Sequence, residues 1–274
     1  MKNDAKRAAR NIDWVAEWKE HWERNERHRT PEFWNQRTPS FVKHVSESDY
    51  SEQFLNIMHP EKEWAVIDVG SGAGTLAIPL ASRVRHVTAL DFSPVMVDLL
   101  RGACQHSAVK NVTPVLASWE DDWSALGIAK HEVAVASRSM IVEDPRAELE
   151  KLNATATRRV FVSLPVGDGP FDRKLFEALG RELPFRTDYI FAYNILYQMG
   201  IFANVAFIST NKNKTYESKE AAYESLLWMF PDLDGGEEIR LQKFVSERLV
   251  RDGSELRFDY DRTVRWAVMS WDIT

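Results

Sequence analysis

The chain has 274 residues, 44% of them hydrophobic and 28% charged, with a formal net charge of -6. That composition fits one large globular domain, or a domain with a sizeable insertion, and excludes disordered and collagen-like classes. An acidic chain offers no footprint for DNA or RNA, and its single cysteine, Cys104, excludes an internal disulfide or a cysteine-rich metal site.

The first residues carry charge but no apolar core, so no secretion signal is expected. From Asp13 to Arg27 the pattern is helical. Trp14, Trp18 and Trp22 recur at i, i+4 and i+8 and form a docking stripe on one face. Arg24, Arg27 and Arg29 alternate with Glu23 and Glu26, the pattern of a solvated face. Thr30-Pro31 breaks this helix. Glu32 to Val45, with Phe33, Trp34 and Phe41 and a bend at Pro39, forms a second short helix.

An alternation follows. Predicted strands cover Ala65–Val69, Val87–Leu90, Val112–Leu116, Val133–Ala136 and Val160–Leu164. Helical patterns lie between them at Thr75–Arg83, Pro94–His106, Trp119–Leu126 and Pro145–Ala156, and Cys104 falls in one of these as a small buried hydrophobe. Apolar strands alternating with helices predict a doubly wound α/β domain with a parallel sheet covered on both faces. Helices are then expected at Phe171–Leu183 and Tyr189–Met199, and a strand at Asn204–Ser209. Tyr189 to Asn211 carries no charge, but Asn194, Gln198, Gly200 and Asn204 interrupt it, so it reads as helix and strand and not as a membrane span. After a turn at Asn211–Lys214 come helices at Ser218–Phe230 and Gly235–Arg251 and a last strand at Thr263–Trp271. Three parts result: an N-terminal helical cap at 1–50, a core at 51–210 and 263–274, and a helical insertion at 211–262.

The segment VIDVGSGAGTLAI, Val66 to Ile78, carries the chemistry. Gly70, Gly72 and Gly74 fall where the first strand turns into the first helix, the place where parallel α/β sheets bind ligands. Glycines there let a ligand approach the backbone. A dinucleotide typically wants G-x-G-x-x-G, but here the third glycine comes one position early. Asp68 at the mouth of the loop repels a pyrophosphate and suits a cation. Asp91 ends the second strand, where an acid accepts hydrogen bonds from ribose hydroxyls. The expected ligand has a cationic amino-acid part and a nucleoside but no phosphate, a description that S-adenosylmethionine fits.

VIDVGSGAGTLAIPLA followed by VTALDFSPVMVDLL resembles the class I (Rossmann-like) S-adenosylmethionine-dependent methyltransferases, from Trp64 to Leu164. The resemblance implies a seven-stranded, mostly parallel sheet with N-terminal helices and a helical insertion before the last strand. It implies that Asp68, Gly70, Ser71, Gly72 and Gly74 line the methionine part, that Asp91 holds the ribose, and that Phe92, Ser93 and Met96 lie at the adenine. Ser118 or Glu120 would meet the adenine amino group, with Trp119 over the ring or packed on the next helix. Ser137 and Arg138 would complete the cofactor side. The strand-four end, Ser137-Arg138-Ser139-Met140, lacks the Asn/Asp-Pro-aromatic pattern of amino-group methylases.

The expected function is methyl transfer by in-line displacement to a small organic acceptor of aromatic or apolar character, with S-adenosylhomocysteine as product. Trp34, Tyr193 and Trp228 are the substrate-side candidates. His21, His28, His44 and Tyr193 could act as a base, but their spacing singles out none of them. A protein or RNA methyltransferase and a non-catalytic S-adenosylmethionine-binding protein stay open, as do monomer and homodimer. No metal, DNA or membrane partner is expected, and the location is expected to be cytoplasmic.

Overall fold

The computed structural model describes residues 12–24, 49–184, 187–211 and 214–273. The chain divides into two compact units. One comprises Met1–Leu164, Thr187–Ile208 and Ala267–Thr274, and the other Pro165–Arg186 and Ser209–Trp266.

The first unit opens with helix α1 (Trp14–Arg24) and helix α2 (Tyr50–Met58). The strands and helices then alternate: β1 (Ala65–Val69), α3 (Ala77–Ala81), β2 (His86–Asp91), α4 (Pro94–His106), β3 (Val112–Leu116), β4 (His131–Ser137), α5 (Pro145–Thr155) and β5 (Ala156–Pro165). After α6 (Arg173–Leu179) come α7 (Tyr189–Gln198) and β6 (Asn204–Asn211). The last strand is β10 (Thr263–Asp272). The sheet runs β3-β2-β1-β4-β5-β10-β6. Strand β1 pairs in parallel with β2 on one side (Asp68 opposite Ala89) and with β4 on the other (Asp68 opposite Val135). The order therefore reverses at β1, and ligands of such sheets bind at the carboxyl ends there.

The strands form because their residues are apolar and suited to burial on both faces. Ile67, Ala134, Val160 and Val162 are fully buried in one core with Trp18, Leu149, Ile195 and Trp271. Trp18 is 2% exposed, and its indole N–H donates to the Val142 carbonyl at 2.8 Å; Trp14 and Trp22 pack partly buried against the same core. The tryptophan stripe is thus a docking face. Helix α4 starts where Ser93 caps the Met96 N–H and Pro94 occupies the first turn.

The predicted helix at Trp119–Leu126 does not form. Asp121 takes the Ser118 N–H with its side chain, and Asp122 takes those of Ser124 and Ala125, so side chains replace the helical ladder. The predicted helix at Phe171–Leu183 shortens to α6. Asp172 caps its start, and Gly180, at φ 73°, ends it in a left-handed turn.

The second unit contains α6 and residues of the insertion. There β7 (Thr215–Tyr216), α8 (Lys219–Glu224), a 3₁₀ turn (Leu227–Met229), α9 (Gly235–Arg248), β8 (Leu249–Asp252) and β9 (Glu255–Phe258) follow in order. The stretch expected to be purely helical thus carries a three-stranded sheet, β7-β9-β8. Residues Leu249–Arg251, read as the end of a helix, begin a hairpin that turns at Gly253-Ser254, with Gly253 at φ 62°. Phe171, Leu175, Phe176, Leu226, Phe230, Leu241 and Val245 form this unit's own core. Among the described residues no helix is long and apolar enough to cross a membrane.

Candidate cofactor site

The site grows from the end of β1. Gly70, Gly72 and Gly74 all have positive φ, at 70°, 55° and 96°. Space adds to the conformational demand. A β-carbon on Gly70 would lie 2.3 Å from the Cβ of Ser139, and one on Gly74 would lie 2.6 Å from Leu100 Cδ1. Ser139 in turn donates its hydroxyl to the Val69 carbonyl at 2.5 Å. The β4 end therefore presses on the loop.

Asp91 ties the loop to β2. Its Oδ2 accepts the Gly72 N–H at 2.8 Å and its Oδ1 accepts the Ser93 N–H at 2.9 Å. The Ser71 N–H bonds the Leu90 carbonyl at 2.8 Å. Burial pushes Asp91 up, and the two N–H donors pull it back. Each of its oxygens keeps a lone pair for a further donor.

Asp68 differs. It is 2% exposed, and its Oδ2 has no hydrogen-bond partner among the described residues. Burial first, then the nearby Asp91 charge, raises it to about 7, against the pull of Arg138. The Ser71 hydroxyl is likewise buried without a partner. Two orphaned polar groups beside a glycine cradle mark a place for a polar ligand. An aliphatic ammonium meets a carboxylate well, and a pyrophosphate does not.

The other predicted residues have the following surroundings. Phe92 is partly buried, and Ser93 and Met96 are buried at the start of α4. Trp119 is 9% exposed, and its indole N–H donates to the Ser139 carbonyl at 3.1 Å. It belongs to the main core with Trp123, whose ring lies 5.8 Å away. Ser118 gives its N–H to Asp121 and its carbonyl to the Trp123 indole, and Glu120 is exposed. The Ser137 hydroxyl meets Tyr50 at 2.8 Å. Tyr193 is partly buried against the main core, and the His21 ring packs edge-on against Phe191 at 5.5 Å. Trp228 packs in the second unit, 5.5 Å from the Phe171 ring. Trp34, His28 and His44 lie outside the described residues.

Sequence reasoning missed Tyr50, Ser163 and Ser139. The Tyr50 hydroxyl joins Ser163 at 2.6 Å as well as Ser137. The signal for Ser163 was a lone hydroxyl inside the apolar run Val160–Leu164. Ser139 carries no local signal, because its contact with Gly70 is long-range.

A family described as "Methyltransferase domain" matches residues 66–160. An "Uncharacterized protein" of Haemophilus influenzae is 35% identical over 228 residues, covering 82% of each chain. A putative methyltransferase from Bacillus halodurans C-125 shares the fold at 11% identity and TM-score 0.53, over 81% of this chain and 97% of that one. An S-adenosylmethionine-dependent methyltransferase from Aquifex aeolicus does so at 14% identity and TM-score 0.50, over 86% and 98%. With a methyltransferase-domain match over residues 66–160 on a seven-stranded sheet of this order, the chain belongs to the class I, Rossmann-like S-adenosylmethionine-dependent methyltransferases.

Proposed function

We propose that this methyltransferase acts on a small organic acceptor by in-line displacement. When bound, S-adenosylmethionine supplies a methyl carbon activated by a sulfonium, so the chain's task is chiefly alignment. In this reading Asp68 takes the ammonium group and Asp91 the ribose hydroxyls. Gly70, Ser71, Gly72 and Gly74 give the methionine part room. Phe92, Ser93, Met96, Ser118, Trp119 and Glu120 serve the adenine side, and Ser137 and Arg138 the far end. No general base is assigned.

The observation that carries the small-acceptor reading is Tyr50. It comes from α2, yet its hydroxyl is fixed at the carboxyl ends of β4 and β5 through Ser137 and Ser163. In this reading helix α2 covers ground that a protein or RNA acceptor would need. The net charge of -6 also gives RNA no electrostatic pull. Tyr193 is assigned in this proposal to the acceptor side, and substitutions there are expected to change turnover without weakening S-adenosylhomocysteine binding.

The test has two parts. Calorimetric titration with S-adenosylmethionine and S-adenosylhomocysteine is expected to show binding that Asp91→Ala abolishes or greatly weakens. S-adenosylhomocysteine release is then followed with separated cell-extract fractions. Turnover with the low-molecular-mass fraction supports the proposal. Turnover confined to the protein or RNA fraction, or none with any fraction despite tight binding, overturns it.

A further inference from the structure

The stretch after β3, from Ala117 to Leu126, has no helical ladder, so its backbone depends on side chains for its shape. It leaves the sheet beside Asp91: Leu116 pairs with Asp91, and the Ala117 N–H donates to the Asp91 carbonyl at 3.0 Å. Two further bonds are local. Asp121 accepts the Ser118 N–H at 2.7 Å, and the Trp123 indole N–H donates to the Ser118 carbonyl at 2.8 Å. Another reaches towards the glycine loop. The Trp119 indole N–H donates to the Ser139 carbonyl at 3.1 Å, and the Ser139 hydroxyl donates to the Val69 carbonyl, next to Gly70.

The remaining hold comes from a separate element. Lys151, on α5, donates its ammonium to the Trp119 carbonyl and to the Asp121 carbonyl, the second at 2.7 Å. The same Nζ lies 4.4 Å from the centre of the Trp123 ring. The Glu148 carboxylate stands 4.0 Å away, at the limit of an ion pair, so the close partners of this ammonium are the two carbonyls. Hydrogen bonds from a charged donor are stronger than neutral ones, and an aromatic face adds to the hold. Leu149 and Leu152 of α5 are fully buried in the main core, so the ammonium is carried by a rigid part of the fold. The C=O and N–H of a trans peptide point opposite ways. A grip on these carbonyls therefore also fixes the direction of the Glu120 and Asp122 N–H groups.

We propose that Lys151 is a positioning residue of the donor site: it holds the Ser118–Asp121 loop in the shape that reads the base, and so sets the preference for adenine. The proposal rests on the donor-site reading above, in which this loop serves the adenine side. Lys151 acts through the loop and touches no part of the cofactor. Asp68 and the glycines, which serve the methionine part in that reading, belong to β1 and the turn after it. Loss of Lys151 therefore falls on recognition of the base, whereas a general loosening of the fold would weaken every ligand alike.

The experiment titrates the full chain by calorimetry at neutral pH with S-adenosylhomocysteine and with S-inosylhomocysteine, in which a carbonyl replaces the adenine amino group. Wild type is expected to prefer the adenine ligand by tenfold or more, because a site built to pair a polar group rejects the analogue that lacks it. Lys151→Met keeps the length of the side chain and removes the ammonium. It is expected to bind S-adenosylhomocysteine about tenfold more weakly and S-inosylhomocysteine nearly as well as wild type, so that most of the preference is lost. Lys151→Arg, which restores a cation with several donors, is expected to recover most of it.

An equal loss for both ligands in Lys151→Met, no loss for either, an arginine variant no better than methionine, or a wild type without preference overturns the proposal and leaves the donor site intact. Wild-type protein that binds neither ligand overturns the donor-site reading and this proposal with it. Thermal melts establish that each variant is folded; if Lys151→Met is not, Lys151→Gln carries the same comparison with the same expected direction.

Discussion

A buried acid raised to about 7 at Asp68 makes stability depend on pH. Its ordinary value is 3.8, so between about 4 and 7 the folded state binds the extra proton and the unfolded state does not. This stabilisation is complete at low pH and is lost as pH rises through 7. Asp68→Asn is therefore expected to remove the fall in stability between about pH 4 and 7 while weakening the cofactor. Thermal melts across pH check this; a variant that keeps the wild-type slope over that range refutes it. The glycines separate in the same way. Gly70→Ala meets both a positive φ and Ser139 at 2.3 Å, and is expected to cost about 2–4 kcal/mol. Gly102, within α4, has nothing within 4 Å of an added Cβ, so Gly102→Ala is expected to gain about 0.5–1 kcal/mol. Urea melts of the two variants measure both. At this scale the sequence was legible where local rules apply, at Gly70, Gly72, Gly74, Asp68 and Asp91. Ser139, Ser163 and Tyr50 were not, because what makes them matter is a partner far along the chain.

Elements were legible where burial decides and less so where side chains compete with the backbone. Strands β1 and β3 and helix α4 run where the apolar pattern puts them. Strand β5 begins earlier than expected, at Ala156, because its first residues, Thr157 to Arg159, are polar and half solvated. The helix at 119–126 failed because Asp121 and Asp122 cap loop N–H groups instead. The hairpin of β8 and β9 turns at Gly253-Ser254, just after the point where the helical reading ended at Arg251. Helix α9 offers a test of a cap. Asp234 accepts the Glu237 N–H at 2.7 Å while Glu237 returns a bond to the Asp234 N–H at 3.0 Å. Asp234→Ala is expected to cost about 1 kcal/mol and Asp234→Ser much less, as read by denaturant unfolding. Equal costs for both would mean the charge matters more than the cap.

On the scale of the molecule, the second unit is assembled from two separated stretches, Pro165–Arg186 and Ser209–Trp266. Arg181 joins them. It donates to both oxygens of Glu237, each at 2.6 Å, and to the Asp232 side chain at 3.1 Å. Those bonds raise Arg181 and hold Glu237 at about 2. Arg181→Met is expected to lower hydrogen-exchange protection in the stretches around α6 and α9, and to leave β1, β2 and β4 unchanged. Equal loss in both units would show that they open together. The two-stretch assembly was hidden from sequence reading, since Phe171 and Phe176 look like any core helix until the residues that cover them arrive from Leu226 to Val245.

The strand order carries a consequence for biosynthesis. Strand β6 is made well before β10, yet β10 lies between it and β5. A ribosome delivers Asn204–Asn211 with no finished neighbour to join, and the gap closes only when Thr263–Asp272 emerges. Until then an uncharged strand, with Phe207 on it, waits unpaired in the nascent chain, open to chaperones or to the same strand on a neighbouring polysome.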